Sequence, residues 1–381
     1  MDSLGRKIIY QFKRFLQQKC CIILVVNNLS YRVESDFKRT SLTQNMSQQK
    51  TFQLAPGFQI CRILNGMWQL AGGHGRINPE SAISEMLQYH GAGFTSWDMA
   101  DIYGPAEEYM GQFRRRLAKQ KGKQELAKVQ ALTKFVPNPG PMTREFVEYH
   151  IDRSIRKMNV KAIDVVQFHW WDYTDTSYLD ALHHLSKLCD EGKIRHIGLT
   201  NFDTTRIEIM TQQGFDILSN QVQYSILDQR PAIKMTPFCQ KHDIKLLAYG
   251  TLLGGFLSEK HLGKPEPVRS QLDTLSLQKY MNMIDAWGGW NLFQELLAVL
   301  SDIAKKHRAS IANVATRYIL DKPAVAGVII GARLGIAEHK SDNAQAFSLQ
   351  LDNKDNEKIN SITSKSSDLF DTIGDCGDEY R

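Results

Sequence analysis

Short apolar runs that end on polar residues recur along most of this chain and alternate with stretches of helical periodicity. Runs of this kind have the length and composition of buried strands, and the intervals between them accommodate one helix with its two loops. Eight runs fit the description: 62–70, 94–98, 128–134, 163–169, 194–199, 217–222, 244–248 and 325–330. Eight β/α units in succession predict an α/β protein built as one (β/α)8 TIM barrel.

The two ends of the chain differ from this repeating body. Residues 1–50 hold nine Lys or Arg against three acids and show no clear periodicity, which predicts a disordered, basic N-terminal extension. A natural start near Met46 and a cleaved organelle-targeting peptide are alternatives, and scarce Arg and Ser disfavour the targeting peptide. A turn at 54–57 predicts a small hairpin ahead of the barrel. We therefore divide the chain into 1–50, a barrel domain over 51–365, and a C-terminal tail over 366–381 that ends in disorder.

Charge and cysteine content argue against several classes of function. The chain has 381 residues and a net charge of +6, and the segment 1–50 accounts for all of that charge. The barrel domain has no basic surplus, so no nucleic-acid partner is expected. The apolar run 20–26 is too short to span a bilayer, so no membrane partner is expected either. Six scattered cysteines without metal-ligand spacing predict reduced thiols, no metal site and a cytoplasmic location.

Four residues at or just beyond strand ends have side chains suited to proton transfer. Asp98, Lys134 and His169 end three successive runs, and Tyr103 lies five residues beyond Asp98. In a β/α barrel these ends meet at one mouth, where the chemistry is done. Reduction of a carbonyl needs a proton for oxygen, and a nearby ammonium held by a carboxylate lowers the pKa of a tyrosine enough to supply it. A histidine can orient the oxygen. Each residue also has a packing or surface alternative, and spacing alone leaves Asp101 as an alternative to Asp98.

The remaining strand ends have groups suited to a flat ring, an amide and a phosphate. The fifth, sixth and seventh strands end on Thr200-Asn201, Gln221 and Tyr249. A hydroxyl and side-chain amides can bind a carboxamide, and an aromatic face can stack on a ring. Gly331 and Arg333 lead from the eighth strand into a predicted helix, which is a frequent phosphate position in barrels. No GxGxxG follows a strand, which argues against a Rossmann domain. The alternative role of Asn201 is to cap the helix from Asp203 onward.

Two motifs resemble those of the aldo-keto reductase family. The stretch 98–104, DMADIYG, is similar to its motif D-x-A-x-x-Y-G, and the stretch 192–202, GKIRHIGLTNF, is similar to G-x-I-R-x-I-G-x-S-N-F. The likeness runs from about Gly57 to Asn343. It implies a barrel that binds NADPH without a Rossmann fold and without a metal. It further implies reduction of a small-molecule carbonyl, an aldehyde or ketone, to an alcohol.

The resemblance also implies a role for each matching residue. Tyr103 would be the proton donor, supported by Asp98, Lys134 and His169, which selects Asp98 over Asp101. The implied cofactor-binding residues are Thr200, Asn201, Gln221, Tyr249, Leu252, Gly331, Arg333, His339 and Asn343. Arg333 favours a 2′-phosphate and therefore NADPH, because a guanidinium pairs well with phosphate oxygens. Apart from the resemblance, Trp68, Trp97, Trp170 and Trp171 lie at or near strand ends and indicate an apolar, aromatic mouth, although tryptophan also fills ordinary cores. Trp68, Trp97 and Trp170 are expected to line the substrate pocket.

Some positions depart from the family pattern. The loop at 249–255 reads YGTLLGG and lacks the Pro and the Arg of the common Y-S-P-L-G-R-G, which weakens the expected grip on the pyrophosphate. Thr200 replaces a Ser but keeps the hydroxyl, and His339 stands where many relatives carry Gln. The same fold also serves channel-associated β subunits, so a catalytically weak, cofactor-binding regulatory subunit is the main alternative. A barrel aldolase that uses Lys134 for a Schiff base is a weaker alternative.

Overall fold

Strands and helices alternate along the part of the chain that the computed structural model describes, residues 50–72 and 77–380. The segment 1–49, expected to be disordered, lies outside the described residues. The strands are β1 Thr51–Ala55, β2 Phe58–Cys61, β3 Ile63–Gly66, β4 Ser96–Asp98, β5 Gln130–Phe135, β6 Ile163–His169, β7 Ile194–Thr200, β8 Ser219–Gln223, β9 Lys245–Tyr249 and β10 Val325–Gly331. The helices are α1 Pro79–Gly91, α2 Ala106–Leu126, α3 Arg144–Met158, α4 Tyr178–Asp190, α5 Thr204–Gln212, α6 Met235–Lys241, α7 Leu275–Trp287, α8 Gly289–His307, α9 Ile311–Leu320, α10 Lys340–Asn343, α11 Asn353–Thr363 and α12 Leu369–Ile373.

Strands β3 to β10 form a closed parallel barrel, in which each strand pairs with the next and β10 returns to pair with β3. All eight strand predictions are confirmed, and β6 has the predicted bounds. The expected hairpin is also present, because β1 pairs antiparallel with β2. The apolar side chains of the hairpin join a small cluster with inward-facing residues of the barrel, among them Leu64, Leu132, Val165 and Leu247. This hairpin closes one end of the barrel, so the chemistry belongs to the other end.

Local sequence signals explain where the helices begin. Asn78 caps α1 by accepting a hydrogen bond from Ser81 N at 3.0 Å, with Pro79 at the first helical position. Thr143 caps α3 in the same way by accepting from Phe146 N at 3.2 Å. Caps of this kind satisfy backbone N–H groups that have no partner within the helix. They place each helix start directly after the loop that follows a strand end.

Two segments are more regular than the sequence predicts. The connection from Gly250 to Trp290, expected to be one long irregular loop, contains helix α7. The expected disordered end of the tail is wrong over the described residues, since α12 and a 3-10 helix at Asp378–Tyr380 follow α11. Leu369 and Cys376 in this tail are 4% and 2% exposed, because both side chains pack into the main hydrophobic core. Burial of these side chains gives the tail a fixed path over the barrel.

Candidate active site

Asp98 and Lys134 form an ion pair at the mouth of the barrel. They come from neighbouring strands, and Lys134 Nζ donates to Asp98 Oδ2 at 2.6 Å and to Met99 O at 3.3 Å. Each side chain of the pair is only 4% exposed. Burial lowers the pKa of Lys134 because it disfavours the ammonium, and the charge of Asp98 opposes that effect. The pair therefore places a desolvated cation at the base of the site.

A pair of amides holds the other oxygen of Asp98. Gln167 Nε2 and Gln221 Nε2 each donate to Asp98 Oδ1 at 2.7 Å, and Gln221 Nε2 also donates to Gln167 Oε1 at 2.6 Å. Sequence reasoning missed Gln167. The sequence does contain a signal for it, because Gln167 is an amide between two apolar residues of a fully buried strand. A buried polar side chain of this kind needs a hydrogen-bond partner. The two amides fix the carboxylate so that it faces Lys134.

Tyr103 lies in the tight loop that follows β4. Tyr103 N donates to Ala100 O at 3.1 Å, and the next residue, Gly104, has φ +53°. A Cβ on Gly104 would lie 2.7 Å from Leu70 O, so this position needs glycine for both its conformation and its space. The loop places the Tyr103 ring with its centroid 5.1 Å from Lys134 Nζ. The phenol and the ammonium are therefore neighbours, as a proton-donating tyrosine requires.

Asp101 points away from this pair. Its Oδ1 accepts from Val136 N at 3.3 Å, and its Oδ2 lies 3.9 Å from His150 Nδ1. Burial, with the nearby charge of Glu107, raises the pKa of the Asp101 carboxyl to about 7. Lys134 therefore pairs with Asp98, and Asp101 anchors the loop from behind.

His169 ends β6 on the same side of the barrel. Its Nδ1 lies 2.9 Å from Thr200 O, a geometry in which Nδ1 carries the proton and Nε2 of the neutral ring is an acceptor. The Trp171 ring stands perpendicular to it at 4.4 Å between centroids and is 39% exposed. An imidazole and an indole thus border the same opening.

The three tryptophans expected in a substrate pocket lie in different environments. Trp68 is partly exposed in a 3-10 helix, Trp68–Ala71, directly after β3. Trp97 is fully buried against the rings of Tyr89 and Phe113, because neighbouring strand residues face opposite sides and Asp98 faces inward. Trp170 is also fully buried, and its Nε1 donates to the carbonyl oxygens of Asp172 and Asp175. The pocket role expected for Trp97 and Trp170 is corrected accordingly, and Trp171 is the exposed indole at the mouth.

Four predicted cofactor residues lie on or next to strands β7, β8 and β9. Thr200 and Tyr249 end β7 and β9, Asn201 directly follows β7, and Gln221 lies in the middle of β8, where it pairs with Thr200. Asn201 adopts a left-handed conformation, φ +57°, and its N–H donates to Gln221 O at 2.9 Å. Tyr249 Oη donates to Asn201 Oδ1 at 3.0 Å. Asp203, and not Asn201, caps the following helix by accepting from Arg206 N.

These residues fit a nicotinamide carboxamide. Thr200 Oγ1 is buried and has no hydrogen-bond partner among the described residues, which is costly unless a ligand supplies one. Both N–H groups of the Gln221 amide are already used in its bonds to Asp98 and Gln167, so its Oε1 is the atom suited to a ligand. These side chains thus offer a hydroxyl and amide carbonyl oxygens. A carboxamide can bind them because it has both N–H donors and a carbonyl acceptor.

The loop after β9 packs against helix α7. A Cβ on Gly250 would lie 2.5 Å from Tyr280 Oη, and one on Gly254 would lie 3.0 Å from Ser276 Cβ. Leu252, expected at the pyrophosphate, is partly buried in this loop. The helix also brings Lys279 Nζ to 5.2 Å from the Tyr249 ring centroid. A cation therefore reaches this part of the site from α7, although the loop itself lacks the family's Arg.

The residues expected at the adenosine end follow β10. Arg333 and His339 are exposed, and Asn343 is 8% exposed at the end of α10. The helix expected directly after Gly331 is replaced by a turn and the short α10, because Gly335 adopts φ +74° and donates its N–H to Glu85. The exposed guanidinium of Arg333 remains accessible to a phosphate.

The described part of the chain contains neither a metal-binding cluster nor a membrane-spanning helix. No group of three or more His, Cys, Asp or Glu side chains there is arranged to hold a metal ion. No helix in the ranges 50–72 and 77–380 is both long and apolar enough to cross a membrane. The described cysteines Cys61, Cys189, Cys239 and Cys376 are free thiols, while Cys20 and Cys21 lie outside the described ranges. The cytoplasmic location stays a prediction.

Residues 62–364 match the model of the family described as "Aldo/keto reductase family". The chain belongs to the aldo/keto reductase family. This confirms the family recognised from the two motifs, and the barrel around the Asp98–Lys134 pair agrees with it.

Individual relatives differ in what their names describe. Flagellar radial spoke protein 5 of Chlamydomonas reinhardtii is 32% identical over 262 residues, which cover 58% of this chain and 49% of that protein. The match thus spans about half the length of this relative. The NADH-specific methylglyoxal reductase of Escherichia coli (strain K12) is 24% identical over 321 residues, covering 78% of this chain and 92% of the relative. A crystal structure of an aldo/keto reductase from Klebsiella pneumoniae in complex with NADP and acetate shares the fold, with a TM-score of 0.62, 19% identity, and coverage of 82% and 95% of the two chains.

Proposed function

We propose that this protein is an NADPH-dependent carbonyl reductase that converts an aldehyde or ketone to an alcohol with Tyr103 as the proton donor. The observation that carries the proposal is the buried Asp98–Lys134 pair beside the Tyr103 ring. A desolvated ammonium next to a phenol stabilises the phenolate that remains after proton transfer. Family membership supports oxidoreductase chemistry in general.

The protein's own residues would each act on one atom of the reaction. NADPH, when bound, supplies the hydride that forms the new C–H bond at the carbonyl carbon. Tyr103 gives its proton to the carbonyl oxygen, and Lys134 stabilises the resulting phenolate until a proton from solvent restores the phenol. Asp98 holds Lys134 in place. His169, whose Nδ1 proton is committed to Thr200 O, donates from Nε2 when the ring is protonated and accepts the alcohol O–H when it is neutral.

The cofactor residues would divide into two groups. Thr200, Asn201 and Gln221 would bind the carboxamide, and Tyr249 would stack on the ring. Leu252, Gly331, Arg333, His339 and Asn343 would bind the pyrophosphate and the adenosine phosphate. The exposed Arg333 supports a preference for NADPH, since its guanidinium can pair with a 2′-phosphate. Trp68 and Trp171 would border the carbonyl substrate.

The test is steady-state oxidation of NADPH and of NADH by the purified full-length protein with a panel of aldehydes and ketones. We expect turnover with NADPH and a higher kcat/KM for NADPH than for NADH. Fluorescence titration of the protein with each cofactor gives the binding constants independently of turnover. Absence of both NADPH binding and turnover would contradict the proposal. Faster turnover with NADH would contradict the proposed NADPH dependence and the role assigned to Arg333, and would leave the carbonyl reduction itself intact.

A second candidate is a cofactor-binding subunit of a larger assembly. The 32% identity to a protein named as a component of flagellar radial spokes favours it. Intact residues at the Tyr103 site do not exclude this role, because such a subunit can retain them. NADPH binding without turnover across the panel, together with a stable partner on affinity purification, would favour the second candidate over the first.

A further inference from the structure

Gln167 connects the buried ion pair to the proposed cofactor site. It precedes His169 by two residues on β6, so the two side chains face the same side of the strand. The Gln167 side chain is buried, and both ends of its amide are bonded. Its Nε2 donates to Asp98 Oδ1 at 2.7 Å, and its Oε1 accepts from Gln221 Nε2 at 2.6 Å. One amide thus joins a residue of the ion pair to a residue proposed to bind the carboxamide.

The carboxylate of Asp98 sets the direction in which both glutamine amides point. Its other oxygen accepts from Lys134 Nζ at 2.6 Å in the buried ion pair. An ionised carboxylate has no proton to donate, so the atom that each amide places against Asp98 Oδ1 must be its nitrogen. Reversal of either amide would bring two oxygen atoms to about the present 2.7 Å with no proton between them. The ion pair therefore fixes the orientation of Gln167 and of Gln221.

Gln167 occupies the second donor of Gln221. The nitrogen of a glutamine amide has two protons. One N–H of Gln221 is bonded to Asp98 Oδ1 at 2.7 Å, and the other is bonded to Gln167 Oε1 at 2.6 Å. Gln221 is 3% exposed, so an N–H without these partners would have little access to water. With both protons used, Gln221 has only its oxygen left for a ligand.

We propose that Gln167 is a positioning residue of the cofactor site, which occupies the second N–H of Gln221 and so leaves that amide as an acceptor only. This inference rests on the proposed NADPH-binding function. An acceptor at this position pairs with the NH2 group of the carboxamide and opposes its oxygen, so one of the two carboxamide orientations is favoured. Gln167 acts through Gln221 and need not touch the cofactor. Position 167 lies outside both family motifs, 98–104 and 192–202.

Replacing Gln167 by Leu removes the acceptor and keeps a side chain of similar volume. One N–H of Gln221 then loses its partner, and the amide can offer that N–H to the cofactor as well as its oxygen. The bond from Gln221 to Asp98 and the bond from Lys134 to Asp98 do not involve Gln167. The variant should therefore keep the site but lose much of its preference for a donor on the cofactor.

The test compares dissociation constants of full-length proteins for NADPH and for its reduced 3-acetylpyridine analogue, measured by quenching of tryptophan fluorescence. The analogue has a methyl group in place of the carboxamide NH2, so it keeps the acceptor and lacks the donor. The wild type should bind NADPH roughly fivefold more tightly than the analogue, the effect of about one hydrogen bond. Gln167→Leu should lose about fivefold in affinity for NADPH and little for the analogue, so that the two bind about equally.

Two further variants separate this role from the general effect of losing a buried amide. Asn65→Leu removes a buried amide of β3 that donates to two backbone carbonyl groups, and the ratio of the two dissociation constants should stay at its wild-type value. In a Gln221→Leu background, Gln167→Leu should not change the ratio further, because the residue through which it acts is absent. Melting temperatures of the cofactor-free proteins show which variants fold, and Gln167→Met provides the same comparison in place of Gln167→Leu.

The possible outcomes separate this inference from the proposed function. NADPH binding with an unchanged ratio in Gln167→Leu would overturn the inference and leave the function intact. Equal binding of NADPH and the analogue by the wild type would also overturn it, because Gln221 would then not be an acceptor only. The same change of ratio in Asn65→Leu, or in the Gln221→Leu background, would overturn the assigned route through Gln221. A wild-type protein that does not bind NADPH would overturn both the function and the inference.

Discussion

Replacing Lys134 by Met tests whether the ion pair with Asp98 is buried and intact in the folded protein. The two side chains are 4% exposed and meet at 2.6 Å, so the substitution leaves a carboxylate without its cation and away from water. Removing one partner of such a pair costs about 3–5 kcal/mol in the free energy of unfolding. Asp98 keeps the two amide donors Gln167 and Gln221 at 2.7 Å, which places the expected loss near the lower limit, about 3 kcal/mol.

The assay is urea denaturation at pH 7 without cofactor, followed by tryptophan fluorescence. Lys128→Met is the matched control, because that lysine pairs with Glu125 on the surface and is 62% exposed, and such pairs contribute little. The double variant Asp98→Asn/Lys134→Met should be more stable than Lys134→Met alone, since it removes the unpaired charge. Equal stabilities for Lys134→Met and Lys128→Met would refute the reasoning.

Three further predictions concern single side chains. Folding raises the pKa of Asp101 from 3.8 to about 7, so the folded protein holds this proton more tightly than the unfolded chain. Stability relative to Asp101→Asn should therefore fall by up to about 4 kcal/mol as pH rises from about 4 to about 8, with no further change above about pH 8. Urea titrations of both proteins across this range check it, and parallel curves would contradict it. Thr200→Val should weaken NADPH binding about fivefold with little change in melting temperature, since Oγ1 has no partner among the described residues. Arg333→Ala should weaken NADPH binding by about tenfold or more and leave NADH binding unchanged, and equal losses for both would exclude a 2′-phosphate contact.

The strand ends could be predicted because their signals are local. The run 163–169 has the length and apolar content of a buried strand, and the structure has β6 at those residues. Asn78 and Thr143 identified their helix starts for the same reason, because a cap acts within one turn. The regular spacing of such units was enough to predict a barrel. It was also enough to predict that Asp98, Lys134 and His169 lie at the same end of that barrel.

The orientation of side chains around that mouth was less predictable. Trp97 and Asp98 are consecutive residues of one strand, so their side chains face opposite sides of the barrel wall. The sequence did not show which of the two side chains faces the site. Trp170 was equally close to a strand end but folds back into the core, and the exposed indole is Trp171. Exposure depends on the packed helices, which local sequence does not specify.

Contacts between distant residues were not predictable from spacing. Gln167 bonds to a carboxylate 69 positions away, and Glu379 bonds to a tyrosine 130 positions away. Lys279 reaches Tyr249 from a helix in a segment expected to be irregular. Each of these contacts depends on how the barrel closes and on how loops cross its mouth, which a single sequence does not show.

The most direct test of the central claim is turnover by Tyr103→Phe alongside its affinity for NADPH. The account assigns the proton of the alcohol to the hydroxyl of Tyr103, whose ring centroid lies 5.1 Å from Nζ of the buried Lys134. Tyr103 is not among the residues proposed to bind the carboxamide. The variant should therefore bind NADPH nearly as tightly as the wild type. Its rate of carbonyl reduction should fall about 100- to 10,000-fold, which is the usual contribution of a general acid. Normal turnover in Tyr103→Phe would contradict the proposed mechanism.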